Sequence, residues 1–156
     1  MKYLIIALSL FLVVLTGCNK DKRDCSLPKL KAPAAEVATL KKYLDDNSIT
    51  AIFDTSGFYY NIAEAGGAQK PDLCSIIQIG YKGTLTNGTV FDSQSSYAFY
   101  LSNLIYGWQL GVPKVGKGGR VTLYLPPSLA YGSNATGTIP ANSILIFDIS
   151  LQDFTN

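Results

Sequence analysis

The sequence predicts an α+β domain: a twisted antiparallel sheet wrapped around one short helix, with a short helical extension before it. Two segments, 75–85 and 145–151, alternate apolar and polar residues, which is typical of strands with one buried face. The pair Asn87-Gly88 follows the first segment and favours a tight hairpin turn. Between these segments only residues 103–112 suit a helix, because a proline and a glycine follow them.

The other elements follow from the same patterns. In residues 33–44, Val37, Leu40 and Leu44 recur at spacings of three and four, which predicts an amphipathic helix. Asp45, Asp46 and Asn47 follow, and because carboxylates are unfavourable at a helix C-terminus, we expect the helix to stop there. Further strands are predicted at 49–53, 58–62 and 121–125. We therefore divide the folded part into an N-terminal helix, 33–47, and a domain, 48–156.

The composition excludes several classes of function. The chain of 156 residues has no histidine, which removes Ser-His-Asp and Cys-His catalysis and the commonest zinc ligand. Its acidic residues are scattered without the spacing of a metal site. A net charge of +2 gives no indication of a nucleic-acid partner. We expect no metal, no cofactor and no nucleic acid.

The first residues have the layout of an exported lipoprotein. Lys2 precedes an uninterrupted apolar run, which is too short to span a bilayer and is typical of a signal peptide over 1–17. The alternative, a buried N-terminal helix, is disfavoured because the run has no polar face. The run ends in Leu15-Thr16-Gly17-Cys18, which resembles the lipobox of bacterial lipoproteins.

The lipobox resemblance implies that Cys18 is acylated, with palmitate or a similar chain, and becomes the first residue after cleavage. Acyl chains would hold the protein on a bacterial membrane, facing the periplasm or the cell surface. Residues 18–32, which include a run of mixed charges, would be a solvated tether. Two cysteines remain, Cys25 and Cys74, and an exported chain permits a disulfide between them. The alternative is two free thiols.

Four segments resemble, in order, the signature segments of the FKBP family of peptidyl-prolyl cis-trans isomerases. They are YKGTLTNGTVFDSQ, LIYGWQLGV, LPPSLAYG and IPANSILIFDISL, and the resemblance covers about residues 76–151. It implies the family's fold, a sheet curled around one short helix. It also implies a hydrophobic pocket for a prolyl residue between the helix and the sheet.

The resemblance implies a role for ten residues. Those that match the family's catalytic pocket are Tyr81, Phe91, Asp92, Trp108, Tyr131 and Phe147, and those that match its substrate-binding positions are Tyr97, Leu104, Ile105 and Ile139. We expect the Tyr81 hydroxyl to hold the Asp92 carboxylate, since a carboxylate at the edge of an apolar pocket needs a partner. The alternative is an ordinary aromatic core with an aspartate in a turn.

The resemblance implies an enzyme that accelerates rotation about X-Pro bonds in exported proteins. Such rotation breaks no covalent bond, so it suits a chain without histidine. One alternative is a binding module that holds proline-containing segments with little catalysis, and another is a purely structural lipoprotein. The pocket aromatics favour the enzyme, which we expect to act as a monomer.

Overall fold

The structure, a computed structural model, describes residues 25–155. Its helices and strands are α1 (Ala34–Asp46), β1 (Ile52–Phe53), β2 (Tyr59–Glu64), β3 (Ile76–Leu85), β4 (Val90–Tyr100), α2 (Tyr106–Gly111), β5 (Arg120–Leu125) and β6 (Leu145–Thr155). The predictions for the signal peptide and for Cys18 lie outside the described residues. Within residues 25–155, no helix has both the length and the apolar character needed to cross a membrane.

All six strands form one antiparallel sheet in the order β1-β2-β5-β6-β3-β4. The strand β6 is the last in chain order, yet it lies inside the sheet. Its first residue, Leu145, pairs with Leu85 of β3 on one side and with Leu125 of β5 on the other. The predicted α+β class, an antiparallel sheet with a short helix on it, is confirmed.

The helix α2 lies directly on strand β5. A Cβ atom on Gly107 would lie 2.3 Å from Leu125 Cδ1, and one on Gly111 would lie 2.5 Å from Leu123 Cδ1. Because both glycines lack a side chain, the helix backbone reaches the leucines of the strand. The close approach buries Trp108, the aromatic residue between these glycines. This contact positions α2 against the face of the sheet that carries the main core.

The helix α1 packs on the opposite face of the same sheet. Its buried residues Leu40 and Leu44 cluster with Tyr124 of β5. The strand neighbours of Tyr124 are Leu123 and Leu125, which belong to the main core beneath α2. Since consecutive strand residues point to opposite faces, β5 is covered by α2 on one side and by α1 on the other.

The helix α1 ends within the stretch 45–47 where we expected it to stop, two residues beyond Leu44. The helix continues through Asp46, and its last turn contains no basic residue. Two ion pairs accompany this extension, Lys41 with Asp45 at 2.7 Å and Lys42 with Asp46 at 2.8 Å. Pairs at this spacing stabilise a helix by a few tenths of a kcal/mol, which helps to offset unfavourable carboxylates near the C-terminus.

The structure also corrects the bounds predicted for the helix over α2. We expected residues 103–112, but α2 covers only Tyr106–Gly111. The preceding segment, Leu101–Asn103, forms a 3-10 turn, and a second such turn follows at Val112–Lys114, where Pro113 cannot continue the hydrogen bonding of an α-helix. The short helix therefore sits between two tighter turns.

Several strands differ from their predicted extent, since β2 and β6 run past the predicted ends at 62 and 151. The strand β1 is only Ile52–Phe53, shorter than the predicted 49–53. The strand β4, Val90–Tyr100, was not predicted, because its run of polar residues lacks apolar alternation. It forms through the hairpin at Asn87-Gly88, which aligns it with β3.

A disulfide joins Cys25 to Cys74, the pairing favoured by the sequence, with 5.2 Å between the Cα atoms. It connects the start of the described chain to the loop that leads into β3. The Ala32 N–H also donates to the Ser56 carbonyl at 2.9 Å. The segment before α1 is therefore attached to the domain at two points.

Candidate functional site

A cavity of about 160 Å³ lies between α2 and the sheet. Its lining consists of Tyr81, Phe91, Asp92, Phe99, Leu104, Ile105, Trp108, Tyr131 and Phe147. A larger groove of about 590 Å³ lies between α1 and the loops near Pro127 and Pro140, but it has no aromatic lining. Size therefore does not identify the candidate site; the aromatic set predicted from the sequence does.

Trp108 is the centre of the aromatic set. Its ring centroid lies 5.0 Å from that of Tyr81 and 5.1 Å from that of Phe147, and both rings stand almost perpendicular to it. The Phe99 ring, 6.4 Å away, is also perpendicular. Edge-to-face contacts in this range are favourable for aromatic rings. The side chains therefore form a rigid apolar base for the cavity.

Phe91 and Asp92 both line the cavity although they are neighbours on one strand. Consecutive residues of a regular strand point to opposite faces. Here Asp92 pairs with Gly83 and Val90 pairs with Thr84, so Phe91 between them has no partner on β3. Such a β-bulge redirects the extra side chain. The bulge accounts for a phenyl ring and a carboxylate side by side at one cavity.

Gly83 makes room for two of the aromatic walls. A Cβ atom at this position would lie 2.5 Å from Phe91 Cζ and 3.0 Å from Phe147 Cε1. These two rings pack edge to face with centroids 5.5 Å apart. We conclude that a side chain at Gly83 would push the walls apart.

The Tyr81 hydroxyl donates a hydrogen bond of 2.6 Å to an Asp92 carboxylate oxygen, as expected from the sequence. Burial, together with the adjacent negative charge of Asp92, raises the pKa of Tyr81 well above its ordinary value. The phenol therefore stays protonated at neutral pH, and the carboxylate at the cavity edge has the partner that it needs.

Tyr131 lines the cavity from the loop that follows β5. Its side chain is 37% exposed, so the cavity is open on this side. Burial of the rest of the side chain raises the pKa of Tyr131, and the charge of Asp92 raises it further. Its hydroxyl thus keeps its proton at neutral pH and can donate a hydrogen bond to a ligand.

A second donor is the main-chain N–H of Ile105, at the start of α2. The Ile105 carbonyl accepts from Trp108 N–H at 2.9 Å, but its N–H donates to no atom of the described part of the chain. Since Ile105 also lines the cavity, its N–H is a candidate donor to a ligand carbonyl.

Gln109 is a candidate functional residue that the sequence analysis missed. It is buried in α2, and its side-chain amide donates to the carbonyls of Leu104, at 2.7 Å, and Ser102, at 3.1 Å. The Leu104 carbonyl and the Ile105 N–H belong to one planar trans peptide, so they point in opposite directions. By holding the carbonyl, Gln109 fixes the direction of the N–H.

Two predicted site residues lie outside the lining of the cavity. Tyr97 is 56% exposed, and its ring contacts that of Phe99 at 4.7 Å. It therefore supports the cavity wall from outside, while Phe99, which the sequence analysis did not place in the site, lines the cavity itself. The spacing of two between these aromatics was the signal for it. Ile139 is buried in the main core.

Comparison with known proteins relates this site to one family. The family profile described as FKBP-type peptidyl-prolyl cis-trans isomerase matches residues 67–152. The FKBP-type peptidyl-prolyl cis-trans isomerase FkpA of Buchnera aphidicola subsp. Schizaphis graminum is 41% identical over 122 residues, which are 75% of this chain and 48% of that protein. The protein of the same name from Aeromonas hydrophila is 40% identical over 140 residues, 84% of this chain and 52% of that protein.

The fold gives the same relationship. The crystal structure of FkpA from Escherichia coli matches with a TM-score of 0.70 and 34% identity, covering 78% of this chain and 60% of that one. The chain spans about half the length of the curated relatives that it matches. The family profile covers more than half of the chain, and all residues of the cavity lie within it. The chain belongs to the FKBP-type peptidyl-prolyl cis-trans isomerase family.

Proposed function

We propose that the protein catalyses cis-trans isomerisation of X-Pro bonds in polypeptides. The observation that carries the proposal is the aromatic cavity of about 160 Å³ with two hydrogen-bond donors at its edge. Pockets for drug-sized ligands are typically about 300–1,000 Å³, so this one suits a single ring such as that of a prolyl residue. The donors are the Ile105 N–H and the Tyr131 hydroxyl.

The chemistry requires only that the twisted peptide be stabilised more than the planar one. The barrier of about 18–20 kcal/mol comes from the partial double bond of the amide. Twisting removes that resonance and makes the amide less polar, so an apolar cavity favours the twisted state. Donors placed for that state add stabilisation that the planar substrate does not receive.

Each part of the site has a role in this proposal. The rings of Trp108, Phe91 and Phe147 hold the prolyl ring, and the Ile105 N–H and the Tyr131 hydroxyl bind carbonyls of the substrate. Asp92 acts through Tyr81, because the hydrogen bond between them fixes the Tyr81 ring that packs on Trp108. The sequence contains no histidine, so we expect the rate to vary little between about pH 6 and 8.

The test is an isomerisation assay of the purified protein on short peptides that differ in the residue before proline. Acceleration of the slow cis-trans phase, flat between pH 6 and 8, is the expected result. Binding of the peptides without acceleration would contradict the proposal and favour the binding-module alternative. A steep change in rate near neutral pH would contradict the mechanism while leaving the activity in place.

We further propose that the protein is a lipoprotein that acts on exported polypeptides from a bacterial membrane, facing the periplasm or cell surface. The support is the layout of residues 1–18, with residues 18–32 as the tether, of which the part from Cys25 onward is held to the domain by the disulfide. In cells fed a palmitate analogue, the parent should be labelled and fractionate with membranes, whereas Cys18→Ser should be unlabelled and released. A variant that stays with the membranes would contradict the anchor alone.

The proposed unit of function is a monomer. The support is that α2 and the sheet of a single chain already form the aromatic cavity. Light scattering of the purified protein, with the assay repeated over a range of concentrations, tests this. A specific activity that rises with concentration would contradict it.

A further inference from the structure

Glu36 connects the helix α1 to the turn that leads to Tyr131. The carboxylate oxygen Oε2 of Glu36 accepts a hydrogen bond of 2.8 Å from the Ser128 N–H, between residues 92 positions apart in the sequence. Glu36 lies in the first turn of α1, and Ser128 lies in the 3-10 turn Pro127–Leu129. The contact therefore joins the N-terminal helix to a segment of the candidate site.

The Ser128 N–H is the donor that the turn itself leaves unused. Pro127 has no N–H, while the Leu129 N–H donates to the Pro126 carbonyl at 3.1 Å and the Ala130 N–H to the Pro127 carbonyl at 2.9 Å. A donor at the start of such a turn needs an acceptor from elsewhere. The Glu36 carboxylate supplies it, and a charged acceptor makes the stronger kind of hydrogen bond.

Tyr131 lies two residues beyond this turn. The Gly132 N–H donates to the Pro127 carbonyl at 2.8 Å, which closes the chain around Tyr131. The Gly132 carbonyl in turn accepts from the Asn142 N–H at 2.8 Å. The position of the Tyr131 side chain at the cavity thus depends on a hydrogen-bonded loop that Glu36 holds at its first N–H.

The helix α1 is a firm support for this contact. Its residues Leu40 and Leu44 are almost fully buried against the sheet, so the helix is held independently of Glu36. Next to the contact, α1 and the turn are separated by the groove of about 590 Å³, which Glu36, Thr39 and Pro127 line. Glu36 is therefore a polar bridge across an otherwise open gap.

We propose that Glu36 is a positioning residue for the isomerisation: by capping Ser128, it sets the Tyr131 hydroxyl at the edge of the cavity. The inference rests on the proposed function. It makes α1 part of the working enzyme, although the helix lies outside residues 67–152, which the family profile matches.

A double-mutant cycle with Tyr131→Phe tests whether Glu36 acts through the hydroxyl. Tyr131→Phe should lower kcat/KM about two- to tenfold, the range for one neutral hydrogen bond. In the parent, Glu36→Ala should lower kcat/KM by no more than Tyr131→Phe does. In the Tyr131→Phe background, Glu36→Ala should lower kcat/KM by less than about 1.5-fold. Glu36→Gln, which keeps an acceptor oxygen of the same reach, should retain most of the activity.

Thr39→Ala is the matched control, because Thr39 lies one turn further along α1, lines the same groove and donates its hydroxyl to the Ala35 carbonyl of its own helix. It should leave kcat/KM unchanged in both backgrounds. Equal losses from Glu36→Ala with and without the Tyr131 hydroxyl, or no loss at all, would overturn the proposal.

Amide hydrogen exchange of the peptide over residues 127–132 separates this inference from the proposed function. Glu36→Ala should speed exchange there while the peptide over residues 37–46 stays protected, and Thr39→Ala should change neither. If the parent shows no isomerase activity, the proposed function fails. Hydrogen exchange alone then tests whether Glu36 holds the turn. Unchanged exchange over residues 127–132 would overturn the connection between α1 and the turn.

Discussion

The hydroxyl of Tyr81 and the carboxylate of Asp92 lie 2.6 Å apart across the hairpin of β3 and β4, at the edge of the candidate site. The bond exists because the bulge at Phe91 turns two neighbouring side chains of β4 toward the same cavity. Because the Tyr81 ring also packs on Trp108, the bond connects Asp92 at the polar edge of the cavity with the aromatic base. The stability of this arrangement should depend on the proton of Tyr81.

We expect the free energy of unfolding to depend less on pH in the alkaline range for Tyr81→Phe than for the parent. The pKa of Tyr81 is raised by folding above the ordinary 10.0, so its contribution is complete below about pH 10 and is lost as the pH rises through the folded value. In urea unfolding between about pH 8 and 11, the free energy of unfolding should fall more steeply for the parent than for the variant. The raised pKa values of Tyr124 and Tyr131 leave a residual slope.

The exposed Tyr100 provides the control for this titration, since it is 51% exposed and lies outside the cavity lining. Tyr100→Phe should keep the slope of the parent. Identical slopes for the parent and Tyr81→Phe would contradict the stabilising role of the bond between Tyr81 and Asp92.

We expect Phe91→Ala to lower kcat/KM at least tenfold. The change removes an aromatic wall of the cavity, and a loss of about 1.4 kcal/mol of contact with the twisted substrate is enough for a tenfold effect. The assay uses proline peptides, with folding checked by circular dichroism. Tyr100→Ala, which removes an exposed ring from the same strand, should change the rate little. A folded Phe91→Ala variant as active as the parent would exclude the aromatic wall from the mechanism.

We expect Gln109→Met to loosen the orientation of the Ile105 N–H without leaving a cavity in the core. Methionine keeps the length of the side chain but cannot donate to the Leu104 carbonyl, and a buried acceptor left without its donor costs about 1–3 kcal/mol. The variant should show a lower kcat/KM and a changed NMR shift of the Ile105 amide. Gln78→Met is the control, because Gln78 is an exposed glutamine that donates to Ser96 on the outside of the sheet. An unchanged Ile105 amide would contradict the role of Gln109.

We expect reduction of the bond between Cys25 and Cys74 to destabilise the protein. The bridge spans a sequence separation of 49, for which the chain-entropy estimate is up to about 4 kcal/mol. Mass analysis of unreduced peptides should recover the two cysteines joined, and the Cys25→Ser/Cys74→Ser double variant should unfold at lower urea. Freely alkylated thiols in the unreduced protein, or equal midpoints of unfolding, would contradict this expectation.

Periodicity and local turn signals predicted the parts of the fold that depend on near neighbours in the sequence. The alternation of Ile77 and Ile79, both fully buried, and the turn at Asn87-Gly88 gave β3 and its hairpin. The resemblance of the signature segments, rather than periodicity, predicted most of the cavity lining. Chain-local patterns are informative because strand and turn preferences act over a few residues.

The parts that the sequence did not predict depend on three-dimensional register. The sequence around Phe91 does not indicate that this residue lacks a partner on β3, because a bulge depends on the pairing of two strands. The hydrogen bond from Ser128 to Glu36 likewise requires α1 to dock on the sheet first. The helix end at Asp46, by contrast, lies within the predicted stretch 45–47, because it depends on charges that are local in the sequence.

The position of β6 inside the sheet determines the order in which the domain can fold. Because Leu145–Thr155 is paired with β3 on one side and β5 on the other, the strands made earlier form two separate groups until this last strand joins them. Pairings that distant in sequence are slow to form, since a long loop must close before they contribute. A nascent chain that lacks β6 therefore has no continuous sheet, and the walls of the cavity contributed by β3, β4 and α2 come together with Phe147 only when the final strand is available.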